Sequence, residues 1–446
     1  MQFNFMKYAL LIEKARSSFW FLPGAMVLAS ILLAILTVCI DAFFMTSLDP
    51  SIPIIHKMDI EAIRSLLAMI AGAMITVTSI AFSITIVALT LASSQFGPRL
   101  LRNFMMDIGT QFVLGAFISN FLFCILVFCA ISFQAPYAFK PGVTVIIAVT
   151  MTCFNVGVLI YFIHHVAKSI QADIVIDDVY CELQNGIEKL FPTTQHANKV
   201  ERPLNSSDEG FRTRSNQKNV LSTCSGYVQT VDIESLLMLA KDNDVLIECH
   251  FKPGDFVVKD SVIAIIHSDT LIDDNVIKKI AALIVLGACR TPVQDPEFAI
   301  HQLVEIALRA LSPGINDPYS AITCIDKLNA TLCVLTTRTF PEKLHFDQVG
   351  MLRVICKVPT FKYIAKAAFD QIRQQANNNV FVTLRLLISL QELITFSDSD
   401  EQKEFVINQT NMIKEQQSKQ VLAEDDLKEI NDKVSAILTA ANNNLL

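Results

Sequence analysis

The chain has 446 residues, and 52% of them are hydrophobic, which excludes an ordinary soluble protein and favours a membrane protein. The formal net charge is −7, and it is unevenly distributed. Residues 1–164 carry eight Lys and Arg against six Asp and Glu, whereas the remainder carries 28 against 37. An acidic second part argues against a nucleic-acid partner.

Four runs in the first part of the chain lack Asp, Glu, Lys and Arg: residues 17–40, 65–98, 108–139 and 141–167. Each exceeds the ~20 apolar residues that cross a bilayer core about 30 Å thick. They predict a domain of four transmembrane helices over residues 1–167, in contact with membrane lipid. Because no run contains a charged residue, the sequence offers no relay of the kind a coupled transporter needs, whereas passive permeation needs none.

Lys and Arg flank these runs unequally. Six lie on the side of the chain termini, namely Lys7, Lys14, Arg16, Arg99, Arg102 and Lys168, and three lie on the other side, namely Lys57, Arg64 and Lys140. Basic residues accumulate in cytoplasmic loops of membrane proteins. The distribution predicts a multi-pass protein with both termini in the cytoplasm.

The second run carries five small hydroxyl residues on one face of its predicted helix. We call them the hydroxyl stripe: Thr76, Ser79, Ser83, Thr90 and Ser94. Such a face either allows close helix packing or lines a wet path. The run spans about 51 Å as a helix, longer than the bilayer core, so it tilts or extends into water. The stripe is therefore a candidate pore lining, interrupted by Val87.

Helical spacing continues beyond the fourth run through Ile176, Val179, Leu183, Ile187 and Leu190. This pattern predicts that the fourth helix runs on into the cytoplasm and stops near Pro192. The polar stretch that follows has no period and is typical of a linker. Residues 168–220 are thus predicted to form a helical extension and a linker.

Residues 221–271 contain short β-rich runs, such as VLIECHF and VIAIIHS, around the turn Lys252-Pro253-Gly254-Asp255. This order resembles a barrel-sandwich hybrid, the fold of biotinyl and lipoyl carrier domains. Carrier function needs a lysine on an exposed hairpin tip, and no such lysine is evident. We therefore expect the β module but not the carrier activity.

Residues 272–396 return to helical patterns, with one further predicted strand, MLRVICK, and helices over residues 363–376 and 380–394. Together with the β module, they predict a cytoplasmic α+β domain after the α-helical membrane domain. Residues 397–446 form a charged, helix-prone tail. Its apolar positions, Leu427, Ile430, Val434 and Ile437, are too few for a coiled coil.

The segment RALSPGINDPYSA, residues 309–321, which we call the corner, joins two helical patterns. Asp317 precedes Pro318, and Asp295 precedes Pro296, so each acid is expected to cap a helix whose first residue is proline. Gly314 is expected to adopt a positive φ after the preceding helix ends. The two helices joined by the corner are predicted to form a tight pair.

Charged and turn residues around that pair are the candidates for a ligand site or a subunit contact: Arg290, Asp295, Glu305, Arg309, Ser312, Gly314, Asn316 and Asp317. One interpretation is a salt-bridge network at an interface, because no nucleophile or base accompanies the charges. The other is a ligand site with two arginines beside the free amides of a helix start. No nucleotide-binding, metalloprotease or hydrolase motif is present, so no catalytic residue, metal or cofactor is predicted.

The eleven cysteines include no C-x-x-C pair. Their spacing indicates neither a zinc site nor a disulfide framework. We interpret them as reduced, buried thiols.

Three stretches resemble the signature blocks of the bacterial predicted membrane proteins of domain-of-unknown-function family 2254: LTLASSQFGPRLLRNFMMD, FKPGDFVV and RTPVQDPEFAIHQLVEIALRALSPGINDPYSAI. The resemblance extends from the first helix to about Ile394. It departs in RTPVQDPEF, where a Phe after the threonine and a Gly after the last Phe are common. The resemblance implies the architecture and a bacterial inner-membrane location, and it implies no activity.

These observations favour a homo-oligomeric channel or pore-like conduit with a cytoplasmic domain that assembles or gates it, for a small ion or small molecule. One alternative is a membrane-anchored ligand sensor or scaffold without a pore. Another is an enzyme whose nucleophile the sequence does not identify.

Overall fold

The computed structural model describes residues 20–47, 59–100, 104–105, 107–132, 141–193, 215–376 and 379–443. The chain divides into two compact units, residues 1–175 and 176–446. The first unit contains the apolar helices and the second a mixture of helices and sheets. The predicted succession of a helical membrane part and a mixed part is confirmed, while the finer division at residues 167, 220, 271 and 396 stays a prediction.

Four long helices lie in the described residues of the first unit: α1 (Phe21–Ser47), α2 (Ile60–Phe96), α3 (Ile108–Ile131) and α4 (Val143–Ser169). All four are long and apolar enough to cross a membrane, as predicted. Helix α3 is the most buried of them and packs against the other three. Phe117 and Phe123 on α3 and Phe162 on α4 are fully buried. The centre of this bundle is therefore filled by side chains.

The predicted continuation of the fourth helix is wrong. Helix α4 ends at Ser169, and a separate helix, α5 (Ala172–Leu190), follows. Ile170 has a φ of −95° and a ψ of 1°, outside the helical range, and its N–H bonds to the carbonyl of Lys168. Helical spacing in the sequence reports apolar faces but cannot report a break between two helices that both have such faces. The predicted stop before Pro192 is confirmed.

The described residues of the second unit form eight strands: β1 (Asn216–Leu221), β2 (Gly226–Val231), β3 (Leu246–Cys249), β4 (Phe256–Val257), β5 (Val262–Ser268), β6 (Ile284–Gly287), β7 (Leu344–Phe346) and β8 (Leu352–Ile355). One sheet has the order β1-β5-β3-β8-β7 and the other the order β4-β2-β6. Strand β8 pairs parallel to β3, and the other pairs are antiparallel. The predicted strand MLRVICK thus joins the sheet of the β module.

The barrel-sandwich interpretation is not confirmed. Strands from outside residues 221–271, namely β1, β6, β7 and β8, complete both sheets, and the described strands form no closed barrel. A helix that the sequence pattern missed, α6 (Ile233–Asp242), stands between β2 and β3 and is capped by Asp232. The result is a mixed helix and sheet region in which the long β5 lies between β1 and β3 in the larger sheet.

Seven further helices follow: α7 (Asp274–Ala282), α8 (Glu297–Ala310), α9 (Pro318–Thr336), α10 (Phe361–Gln375), α11 (Val380–Thr395), α12 (Asp400–Ser418) and α13 (Glu424–Asn443). Helices α8 and α9 pack against each other, which confirms the predicted pair. Helix α11 packs against α9, α12 and α13. In the tail, Ile430, Val434 and Ile437 are buried, so their spacing serves packing within this unit.

Candidate functional site

The hydroxyl stripe lies on the outward face of α2. All five of its residues are exposed. The residues that α2 buries, such as Leu67, Met74 and Ala81, belong to the face that packs within the bundle. Successive helical residues are about 100° apart, which places the stripe on the side of α2 opposite to this buried face. The five residues thus share one face of α2, and the described residues of the first unit leave that face exposed.

Each hydroxyl of the stripe is bonded to a carbonyl of its own helix. Thr76 donates to Gly72 at 2.8 Å, Ser83 to Ser79 at 2.9 Å and Thr90 to Ile86 at 2.9 Å. These bonds satisfy the donors, while each oxygen keeps acceptor capacity toward the outside. The face is therefore stable against lipid or another helix, and it can also hydrogen-bond water.

Polar groups also cross the interior of the bundle. Ser30 on α1 donates to the carbonyl of Ser119 on α3 at 2.6 Å, and Asn120 contacts Thr152 of α4 at 3.3 Å. Both Ser30 and Asn120 are buried. Interhelical hydrogen bonds of this kind hold membrane helices together. We therefore assign these interior groups to packing.

Asp41 is a buried carboxylate that the sequence prediction missed, because the apolar run ends at residue 40 whereas α1 continues to Ser47. Its side chain is 5% exposed and accepts hydrogen bonds from the N–H groups of Gly142, Val143 and Thr144 at 2.9–3.0 Å. Gly142, at the start of α4, has no side chain to cap that helix. Asp41 therefore supplies the cap from a different helix.

A second carboxylate ties α3 to α4 at the other end of the bundle. Asp107 caps α3 by accepting from the N–H of Thr110 at 2.8 Å, and it also contacts Nε2 of His165 at 2.7 Å. A Cβ on Gly109 would lie 2.6 Å from the same Nε2, so the close approach requires glycine. Both ends of α4 are thus bonded to a carboxylate of another helix.

In the second unit, two stretches far apart in the sequence form an ionic cluster. Arg290 bonds to both oxygens of Asp295, at 2.6 and 2.9 Å, and to Nδ1 of His301 at 3.1 Å. Lys252, from the turn between β3 and β4, contacts Glu297 at 2.8 Å. The sequence prediction included Arg290 and Asp295 but missed Lys252 and Glu297, since only the fold brings the turn to this loop.

The ionic cluster is nearly closed to solvent. Asp295 and Glu297 are 2% and 3% exposed. Burial by itself lowers the pKa of Arg290 and of Lys252, but the hydrogen bonds to Asp295 and Glu297 outweigh it, so both pKa values are raised. Each buried charge is thus paired, as buried charges must be. The cluster holds the turn between β3 and β4 against the loop that precedes α8. This favours the interpretation of these charges as a structural salt-bridge network.

The remaining candidates lie along α8 and in the corner. Glu305 and Arg309 form an ion pair one turn apart at 3.5 Å. Ser312 donates to the carbonyl of Arg309 at 2.6 Å. Asp317 accepts from the N–H of Ser320 at 3.2 Å and caps α9, as predicted. Arg290 and Arg309 thus contact different acidic residues. The charged candidates that the sequence placed in one group therefore form two separate groups in the structure.

Two expectations about backbone geometry are wrong. The residue with positive φ in the corner is Asn316, at 50°, and Gly314 is not among the residues with positive φ. Asparagine tolerates this conformation through local side-chain hydrogen bonding. In addition, α8 begins after Pro296, and Asp295 directs its carboxylate to Arg290 and to the N–H of Glu297. Pairing with a buried arginine decides the orientation of Asp295.

Comparison with known proteins identifies the family of this chain. The family model "Predicted membrane protein (DUF2254)" matches residues 16–392. "Uncharacterized protein Rv1290c" of Mycobacterium tuberculosis is 31% identical over 330 residues, which are 73% of this chain and 62% of that protein. "Uncharacterized protein Mb1321c" of Mycobacterium bovis matches with the same identity and coverage. The chain therefore spans less than two thirds of the length of these relatives. No solved structure matches it.

Proposed function

We propose, for a chain that belongs to the DUF2254 family of predicted membrane proteins, that several copies assemble into a channel or pore-like conduit in the bacterial inner membrane. In this assembly the hydroxyl stripe of each copy faces a shared axis. The second unit lies in the cytoplasm, where it assembles or gates the conduit. Small ions or small polar solutes are the fitting cargo, because the stripe is polar without being charged.

The observation that carries this proposal is the position of the hydroxyl stripe on the outward face of α2. All five small hydroxyl residues are exposed, so their side chains are not part of the packed interior of the described bundle. Small residues let helices of neighbouring copies approach closely, and hydroxyl oxygens coordinate water or cations along a path. The bundle interior is filled by Phe117, Phe123 and Phe162, so a path between copies suits the chain better than a path through one copy.

Cysteine scanning along α2 tests the proposal. Single cysteines replace Ser79, Ser83 and Thr90 in a background whose native thiols are replaced, and the protein is reconstituted in lipid vesicles. We expect a water-soluble, membrane-impermeant thiol reagent to modify these positions, and modification of Ser83→Cys to reduce ion flux across the vesicles.

Ile80 and Ile84 provide matched controls, because each is adjacent to a stripe residue, at the same depth, and exposed at the surface of the bundle. Ile84 is the sharper control, because it lies about 80° or more around the helix from every stripe residue, whereas Ile80 lies about 100° from Ser79 but about 40° from Thr76. Equal protection of stripe and control positions would contradict a wet path. Reaction at Ser83→Cys without ion flux would exclude the channel and leave a water-filled contact between copies.

The sensor or scaffold alternative draws on a different feature, a cavity of about 180 Å³ in the second unit, lined among others by Phe251, Pro296 and Val358. An apolar cavity with few polar groups is typical of a small-molecule site. If the stripe is uniformly protected while the protein still forms oligomers, this alternative replaces the conduit.

A further inference from the structure

Two cysteines lie side by side in the larger sheet. Strands β3 and β8 pair in parallel, with Ile247 opposite Val354 and Glu248 opposite Ile355. Extending this register by one residue, just past the end of β8, places Cys249 beside Cys356, and the two side chains are hydrogen-bonded. Neighbouring strands are about 4.8 Å apart, within the range of Cα separations that a disulfide spans.

Both cysteines line the same cavity. Cys249 and Cys356 are among the residues that line the space of about 180 Å³ in the second unit. They are 3% and 7% exposed, so the thiols are reached through this cavity rather than from the outer surface. The rest of its lining is almost entirely apolar, which excludes large polar reagents but leaves room for a small neutral one.

Neighbouring groups shift the pKa values of the two thiols in opposite directions. The hydrogen bond that the Cys249 thiol donates lowers the pKa of Cys356, and His345 of the neighbouring strand β7 lowers it further, against the effect of burial. The same hydrogen bond and burial raise the pKa of Cys249. The ring of His345 is hydrogen-bonded to Cys356, and its Nε2 is buried without a partner among the described residues. A thiolate beside a thiol is the usual arrangement of a reactive pair.

We propose that Cys249 and Cys356 form a redox-active dithiol that hydrogen peroxide, entering the cavity, converts into a disulfide. The sulfur of Cys356 attacks one peroxide oxygen, the O–O bond breaks, and the departing hydroxide takes a proton to leave as water. The sulfur of Cys249 then attacks the sulfur of the resulting sulfenic acid, the S–O bond breaks, and the hydroxide leaves as water with the proton of Cys249. Two thiols are oxidised, one peroxide is reduced, and two waters are formed.

Mass spectrometry of the full-length protein tests this site. The purified protein is treated with hydrogen peroxide, then denatured in the presence of N-ethylmaleimide so that every remaining thiol is alkylated whatever its burial. Trypsin releases Cys249 in residues 242–259 and Cys356 in residues 354–357. We expect these two peptides to appear linked, with the loss of both alkylation sites, and dithiothreitol to restore them.

Exposed Cys224 and buried Cys324 are internal comparisons in the same sample. We expect the dithiol to be oxidised about tenfold faster than Cys224, because reaction with peroxide follows thiolate character. Burial raises the pKa of Cys324, which therefore stays alkylated. These comparisons need no substitution and do not depend on the folding of any variant.

Single variants separate the roles of the two sulfurs. Cys249→Ser is expected to stop at the sulfenic acid of Cys356, which dimedone traps, and Cys356→Ser is expected to leave Cys249 reduced. The proposal is overturned if Cys249 and Cys356 remain alkylated while Cys224 is oxidised. It is equally overturned if Cys356 pairs with any cysteine other than Cys249.

Discussion

Asn316 occupies the left-handed region of the corner with a φ of 50°, and Gly314, two residues earlier, is exposed. A β-branched residue in the left-handed region costs about 1–2 kcal/mol. We therefore expect Asn316→Val to lower the melting temperature of the full-length protein in detergent. Gly314→Val is the matched control, since a Cβ at Gly314 meets no atom within 4 Å. A larger loss in Gly314→Val than in Asn316→Val would contradict this assignment.

Asp317 caps α9 with both carboxylate oxygens, since Oδ1 accepts from the N–H of Ser320 and Oδ2 accepts from its hydroxyl at 2.6 Å. Replacing such a cap by alanine costs about 1 kcal/mol, and asparagine keeps most of the contribution. We expect Asp317→Ala to lower the melting temperature and Asp317→Asn to stay close to the wild type. If Asp317→Asn melts normally but loses activity in the vesicle assay, the carboxylate has a chemical role beyond capping.

Asp41 is the residue on which the start of α4 depends. Its removal leaves the N–H groups of Gly142, Val143 and Thr144 without their acceptor in an apolar surrounding, at a cost of about 1–3 kcal/mol. We expect Asp41→Ala to lower the melting temperature and the yield of folded protein in detergent. Asp59→Ala is the control, because Asp59 precedes α2 but makes no side-chain capping bond. Equal effects of the two substitutions would show that the loss of stability does not come from the cap on α4.

At the scale of an element, the turn between β3 and β4 depends on Gly254. This residue has a φ of 92°, and a Cβ on it would lie 2.5 Å from Oδ2 of Asp295 and 2.9 Å from Nη2 of Arg290. Gly254→Ala combines backbone strain with displacement of the ionic cluster, so we expect a loss of about 1–3 kcal/mol. The measurement is thermal unfolding of the full-length protein.

Gly186 on α5 is the matched control for Gly254. A Cβ there meets nothing within 4 Å, and alanine favours a helix over glycine by about 1 kcal/mol. Gly186→Ala should therefore keep or raise the melting temperature. An unchanged melting temperature of Gly254→Ala would contradict the close packing of Asp295 and Arg290 against this turn.

The elements that sequence analysis predicted are those with a strong period. The four apolar helices, α10, α11 and β8 are confirmed because one buried face or a long apolar run decides each of them. Strand β1 was missed because its residues are polar and mostly exposed, and only pairing with β5 makes it a strand. Helix α6 was missed because ten residues between strands give a weak helical signal.

Among the candidate sites, too, those set by a local sequence pattern were predictable, and those set by long-range contacts were not. The hydroxyl stripe was predictable because one helix contains all of it, and helical spacing decides which side chains share a face. The contact of Lys252 with Glu297 joins residues 45 positions apart, and Cys249 and Cys356 meet through strand pairing. No local sequence pattern therefore predicts either contact. Asp41 is a similar case, since its partners on α4 lie 101–103 residues away.

At the scale of the whole molecule, the contacts within the first unit constrain its topology. Asp41, near the end of α1, bonds to the start of α4, and Asp107, at the start of α3, contacts His165 near the end of α4. The end of α1 and the start of α4 therefore lie at one end of the bundle, and the start of α3 and the end of α4 lie at the other. This arrangement requires helices that alternate in direction, so an even number of crossings returns the chain to the side on which it began.

The distribution of Lys and Arg predicts that this side is cytoplasmic, with six basic residues on it against three on the other. A fluorescent reporter fused after Leu446 is expected to fold and fluoresce, as it does only in the cytoplasm. Alkaline phosphatase inserted between Ser47 and Asp59 is expected to be active, because that enzyme needs the oxidising periplasm for its disulfides. The reverse pattern would show that the charge asymmetry is too small to orient the chain. If both reporters indicate the same side of the membrane, the number of crossings between them is even, and that result would remove the alternating four-helix bundle on which the proposed conduit rests.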